Sequence, residues 1–121
     1  MKIGGFLKHT LTDYPGKIAS IVFTKGCNFR CPYCHNPQLI ENSDDELSPE
    51  IVLQYICKNK DLLDGVVITG GEPTLHRGLK TFILKVREIG LSVKLDTNGT
   101  HPEVLKDLMR DHLIDYIAMD I

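Results

Sequence analysis

The strongest constraint on the fold is a regular alternation of short apolar segments and amphipathic segments along the 121-residue chain. Segments rich in aliphatic and β-branched residues predict four strands, over 17–24, 65–73, 91–99 and 114–121. The ranges 65–73 and 91–99 include the turn that follows the strand. Between them, apolar residues recur every three or four positions, which predicts helices over 48–60, 78–90 and 102–113. An order of strand, helix, strand, helix indicates right-handed βαβ units and a parallel sheet. The sequence therefore predicts an α/β fold.

The two later helices each show one apolar face. The helix at 78–90 is expected to bury Leu79, Phe82, Ile83, Val86 and Ile89, and the helix at 102–113 is expected to bury Val104, Leu105, Leu108 and Met109. Both faces would pack against the sheet.

The length and the composition predict a single ordinary domain over residues 1–121. The chain is 42% hydrophobic and 25% charged, and its formal net charge is −2. This balance favours neither nucleic acid nor an acidic membrane surface as a partner. No apolar run has the length of a membrane span, and the first residues lack the apolar stretch of a signal peptide. We therefore expect the protein in the cytoplasm.

Three of the four cysteines lie in one short stretch, GCNFRCPYCHNP, at Cys27, Cys31 and Cys34. In a reducing compartment, clustered thiols favour metal binding over a disulfide. Three thiolates are one ligand short of a closed zinc site or of a fully ligated 4Fe–4S cluster. His35 adjoins Cys34 and is poorly placed to complete a tetrahedron with the same loop. An iron with an open position, a structural metal site and a disulfide remain as alternatives at this point.

Three further polar clusters each follow a predicted strand, at Gly70–Pro73, Asp96–Gly99 and Met119–Asp120. The carboxyl ends of parallel strands lie on one rim, where α/β proteins bind ligands. We therefore expect these clusters to converge there with the cysteine segment. Taken alone, Gly-Gly-Glu-Pro is also typical of a tight turn, and Asp96 and Asp120 could cap helices or face solvent.

The stretch CNFRCPYC resembles the Cys-x3-Cys-x-aromatic-Cys motif of the radical S-adenosylmethionine (SAM) superfamily. The resemblance implies that Cys27, Cys31 and Cys34 hold a 4Fe–4S cluster and that the amino acid end of SAM chelates the fourth iron. It also implies that Tyr33 lies against the adenine. The residues Gly70, Gly71, Glu72 and Pro73 resemble the family's Gly-Gly-Glu-Pro element, which accepts hydrogen bonds from the SAM amino group.

The ends of the last two predicted strands resemble elements of the enzymes that activate glycyl-radical proteins. This resemblance implies a monovalent cation beside the SAM carboxylate, held by oxygens of Asp96, Thr97, Met119 and Asp120. Asp96 and Asp120 would also border SAM itself. Hard oxygen donors suit such a cation.

The segments TDYPGK (12–17) and CHNPQLI (34–40) resemble activators of anaerobic ribonucleoside-triphosphate reductase. The resemblance implies reductive cleavage of SAM to a 5′-deoxyadenosyl radical, which forms a glycyl radical on that reductase. Flavodoxin or ferredoxin would supply the electron. Two alternatives remain: a radical SAM enzyme acting on a small molecule, for example like a 7-carboxy-7-deazaguanine synthase, and an inactive cluster-binding fragment.

The resemblance also implies a six-stranded partial (β/α) barrel, of which the sequence predicts only about four strands. We therefore expect an incomplete, truncated core that lacks strands 5 and 6. The strand at 114–120 would leave an apolar edge, and bare edges are rarely tolerated. We expect this edge to pair with a second copy of the chain or to be covered by the N-terminal segment.

Overall fold

The structure, a computed structural model, describes residues 1, 3–24 and 48–119. These residues form one five-stranded sheet and three α-helices. In chain order the elements are β1 (Ile3–Thr10), β2 (Ala19–Thr24), α1 (Pro49–Lys58), β3 (Gly65–Gly70), α2 (Leu79–Ile89), β4 (Ser92–Thr97), α3 (Pro102–Arg110) and β5 (Tyr116–Met119), with short 3₁₀ turns at Lys60–Leu62 and Pro73–Leu75. Within the described ranges, no helix has the length and apolar character needed to cross a membrane.

The strands lie in the sheet in the order β1-β2-β3-β4-β5. Neighbouring strands from β2 to β5 are parallel, and each successive pair is connected through a helix. The α/β class and the βαβ units are therefore confirmed.

One strand was not expected from the sequence. The chain has five strands rather than four among its described residues, because Ile3–Thr10 forms β1 and pairs antiparallel with β2. Its pairing shifts register between Ile3 and Gly5 and again between Leu7 and Thr10. These irregularities, together with the adjacent Gly4 and Gly5, break the alternation by which a strand is recognised.

The N-terminal segment does not cover the last strand. Because β1 lies at the opposite edge of the sheet from β5, the expectation that this segment masks the 114–120 edge is wrong. Among the described residues, β5 pairs only with β4, and Tyr116 and Met119 are half exposed. Pairing of this edge with a second copy stays a prediction.

All three helices pack on one face of the sheet. Val52 and Ile56 of α1, the apolar face of α2, and Leu105 and Leu108 of α3 form one core with the strands. The face of α2 is as expected, whereas Met109 of α3 is exposed, contrary to its predicted burial.

The opposite face of the sheet carries Ala19, Ile21 and Val67, and we call it the helix-free face. Tyr14, from the turn between β1 and β2, packs on these residues. Because side chains alternate along a strand, Lys94 and Asp96 of β4 also project from this face, whereas Thr97 projects from the other. The side chains of Asp96 and Thr97, at the end of β4, therefore lie on opposite faces of the sheet.

Candidate functional site

The described candidate residues lie together on the rim formed by the carboxyl ends of the strands. Thr24 at the end of β2 is in register with Gly70 at the end of β3. Likewise, Thr97 at the end of β4 is in register with Met119 at the end of β5. The expected convergence is therefore present for the candidates of β3, β4 and β5. Five predicted site residues lie outside the described residues: Cys27, Cys31, Tyr33, Cys34 and Asp120.

Gly70 holds the end of β3 directly against the end of β2. Its φ is +104°, and a Cβ added there would lie 2.5 Å from the backbone nitrogen of Thr24. Two hydrogen bonds reinforce the contact, from Gly71 N to Thr24 O and from Thr24 Oγ1 to Thr69 O, each at 3.1 Å. Only glycine permits this backbone and this approach. The Gly-Gly turn is thereby fixed against the residue that immediately precedes segment 25–47, which contains the three clustered cysteines.

Glu72 is fully buried, with 1% of its surface exposed. One carboxylate oxygen, Oε1, accepts a hydrogen bond from the backbone N–H of Asn98 at 2.7 Å. The other, Oε2, accepts bonds from Thr97 Oγ1 at 2.7 Å, from Thr74 N at 3.1 Å and from the Thr74 hydroxyl. A buried carboxylate requires such donors, because an unpaired one is very costly. No local pattern in the sequence predicts this set of hydrogen bonds.

Asp96 lies on the helix-free face beside Lys94. The Lys94 ammonium is 3.3 Å from Asp96 Oδ1 and donates a hydrogen bond to the backbone carbonyl of Asp13 at 2.5 Å. Within the described residues, Oδ1 is buried and receives no hydrogen bond of good geometry. Burial raises the pKa of Asp96 above its ordinary value, while the positive charge of Lys94 acts in the opposite direction. Thr69 also hydrogen-bonds the Asp96 side chain, so this carboxylate has Lys94 and Thr69 as partners among the described residues.

The predicted cation ligands are only partly brought together. Asp96 and Thr97 are consecutive on β4, so their side chains project from opposite faces. The Thr97 hydroxyl already has two partners, since it donates to Glu72 and accepts from Gly99 N at 3.1 Å. A Cβ on Gly99 would lie 2.9 Å from the sulfur of Met119, so the ends of β4 and β5 are in close contact.

A comparison with known protein families assigns the chain to a superfamily. The model of the Radical SAM superfamily matches residues 21–121, and the chain belongs to that superfamily. Membership implies a 4Fe–4S cluster and SAM as cofactors. The described rim fits them, because Gly70 joins a partly exposed glycine turn to Thr24, the residue that precedes the cysteine-containing segment.

Two relatives match almost the entire chain. One, from Methanocaldococcus jannaschii, carries the provisional name glycyl-radical enzyme activating enzyme; it is 40% identical over 98% of this chain and 49% of its own length. The second is the pyruvate formate-lyase-activating enzyme of Clostridium pasteurianum, 37% identical over 92% of this chain and 48% of its own length. The chain thus spans about half the length of these relatives.

A solved structure shows the same fold. QueE from Escherichia coli superimposes with a TM-score of 0.59 over 83% of this chain and 53% of its own, at 23% sequence identity. Together with the match to the superfamily model, this likeness identifies the five-stranded, mostly parallel sheet as part of a radical SAM fold.

Proposed function

We propose that this chain belongs to a radical SAM activating enzyme that forms a glycyl radical on a large partner enzyme. One observation carries the proposal: two relatives named for this kind of activity match at 37–40% identity over more than nine-tenths of the chain. The segments TDYPGK and CHNPQLI favour anaerobic ribonucleoside-triphosphate reductase as the partner.

Cys27, Cys31 and Cys34 would hold three irons of the cluster and leave the fourth for the amino and carboxylate groups of SAM. When bound, the reduced cluster and SAM supply a 5′-deoxyadenosyl radical, which can remove a hydrogen atom from a glycine Cα. The main chain of Tyr33 would hold the adenine. No residue of the chain needs to act as an acid or a base in this step.

The rim supports the binding of the amino acid part of SAM. An ammonium group is a donor and needs acceptors, and the backbone of the partly exposed residues Gly70 and Gly71 would offer them. Pro73 begins the turn that follows them. The carboxylate of Asp96, which Lys94 and Thr69 already contact, would offer a further acceptor on the helix-free face.

A monovalent cation beside the SAM carboxylate would draw on oxygens of Asp96, Thr97, Met119 and Asp120. Residues 1–121 would form a single radical SAM core domain. A cytoplasmic flavodoxin or ferredoxin would reduce the cluster.

The proposal is tested by mixing the anaerobically reconstituted chain with SAM, a reductant and the candidate reductase. We expect a glycyl radical on the reductase, visible as an electron paramagnetic resonance doublet, only when all components are present. Cleavage of SAM without this doublet would reject the reductase as the partner.

A second candidate is an enzyme that acts on a small molecule. The 7-carboxy-7-deazaguanine synthase of Aquifex aeolicus is 36% identical over 63% of this chain, and that of Methanopyrus kandleri is 31% identical over 89%. Formation of 7-carboxy-7-deazaguanine by the reconstituted chain would favour this candidate. The third reading, an inactive cluster-binding fragment, predicts a cluster but no cleavage of SAM.

A further inference from the structure

We propose that Glu72 is a positioning residue whose carboxylate fastens the Gly-Gly-Glu-Pro turn to the end of β4, and that it does not itself contact SAM. The inference rests on the proposed SAM site and changes the role that the sequence assigns to this residue. It leaves the backbone of the turn as the part that would meet the cofactor.

The first argument is that the carboxylate is already occupied. Its two oxygens accept bonds from Asn98 N, Thr97 Oγ1, Thr74 N and Thr74 Oγ1. Each carboxylate oxygen has about two accepting sites, so Oε2 is saturated by its three donors, whereas Oε1, with one donor, keeps about one site. Because Glu72 is also 99% buried, an ammonium group could reach the remaining site on Oε1 only if the surroundings of Glu72 opened.

The second argument is where the donors lie. The β3–β4 pairing ends at Ile68 and Leu95. In contrast, β2–β3 pairing continues to Gly70, and β4–β5 pairing continues to Met119. The ends of β3 and β4 are therefore the pair on this rim that lacks ladder bonds. Glu72 spans this interval, since Thr97 and Asn98 lie just past the end of the β3–β4 ladder.

The third argument is continuity along the rim. On one side, the turn is bound to β2 through the contacts of Gly70 and Gly71 with Thr24. On the other side, Glu72 binds it to β4, next to Asp96. One series of contacts thus joins Thr24, which precedes the cysteine segment, to the glycine turn and to the end of β4. Loss of the central carboxylate would remove the link between the turn and the pair Thr97 and Asn98.

The test uses Glu72→Gln, with Glu88→Gln as a matched control, because Glu88 is an exposed residue on α2 and loses the same charge. Hydrogen exchange is measured on the chain without cofactors, so this part does not depend on the proposed function. If the Glu72 carboxylate fastens the turn to β4 (the Glu72 tether), the Asn98 amide should exchange about tenfold faster in Glu72→Gln, because roughly one hydrogen bond to a charged group is lost. The control should match the original chain.

The second part measures SAM cleavage by the reconstituted variants. A positioning role predicts that Glu72→Gln raises the KM for SAM while kcat changes less, together with the faster exchange at Asn98. Unchanged exchange with a raised KM would identify Glu72 as a direct SAM ligand and overturn the inference. Faster exchange with an unchanged KM would also overturn it. If the original chain itself cleaves no SAM, the proposed function fails, and the exchange result alone decides whether the tether exists.

If Glu72→Gln does not fold, Thr97→Val removes one donor to the same carboxylate and keeps the side-chain shape. Thr97→Ser restores the hydroxyl. The tether predicts faster Asn98 exchange and a raised KM in the valine variant, with recovery in the serine variant. Equal behaviour of the two variants would contradict it.

Discussion

Replacing Gly70 by alanine tests whether the close contact between β2 and β3 organises the rim. The added Cβ would lie 2.5 Å from Thr24 N and 2.7 Å from Thr24 O, which are backbone atoms that cannot rotate away. A non-glycine residue in a sparsely populated backbone region costs about 1–3 kcal/mol. Overpacking adds about 1–3 kcal/mol. The sum is a large part of the roughly 5–15 kcal/mol by which a domain is stable.

Gly90 provides a matched control at the end of α2. Its φ is +101°, close to that of Gly70, but no atom lies within 4 Å of an added Cβ. Gly90→Ala therefore carries the backbone cost alone. Urea unfolding of both variants should show Gly70→Ala destabilised by about 1–3 kcal/mol more than Gly90→Ala, the amount attributable to overpacking.

The functional readout should separate the variants further. We expect Gly70→Ala to raise the KM for SAM, because the turn must move away from Thr24, and Gly90→Ala to leave it unchanged. Equal destabilisation by the two substitutions would refute the contact with Thr24 as a determinant of the rim.

Three further perturbations test single contacts. Burial raises the pKa of Tyr14, so the free energy of unfolding should stay level below about pH 10 and fall as pH rises through the higher folded pKa; Tyr14→Phe should remove this fall in alkaline urea titrations. Lys94→Met removes the charge beside Asp96 and should raise the pKa of that carboxyl further, measured by its carbon chemical shift; an unchanged value would exclude the ion pair. Asp115 accepts a hydrogen bond from the backbone N–H of Val93 at 2.9 Å, so Asp115→Ala should lower the free energy of unfolding by about 1–3 kcal/mol, and a loss near zero would contradict that bond.

The arrangement of βαβ units could be predicted because each element carries its own local pattern. The face of α2 follows from apolar residues at helical spacing, and the shared rim follows from the parallel direction of the strands. Once the strands are parallel, residues after each of them must lie on one side. Gly70–Pro73 and Asp96–Gly99 were accordingly expected on the same rim, where the structure has them.

The features that could not be predicted depend on contacts between distant parts of the chain. β1 pairs through an irregular register that erases its alternation, so its sequence resembles a loop. Glu72 and Thr97 are 25 positions apart, and nothing in either local pattern reveals their hydrogen bond. Met109 fits the apolar spacing of α3 but is exposed, because the part of α3 that packs in the core is centred on Leu105 and Leu108.

The most direct test of the central claim is SAM cleavage by the anaerobically reconstituted and reduced chain. We expect 5′-deoxyadenosine from the original chain and from Cys57→Ala, which removes an exposed cysteine of α1 outside the motif. Cys31→Ala should form neither a complete 4Fe–4S cluster nor 5′-deoxyadenosine. Equal 5′-deoxyadenosine formation by Cys31→Ala and Cys57→Ala would contradict the assignment of the three clustered cysteines as the ligands of a radical SAM centre.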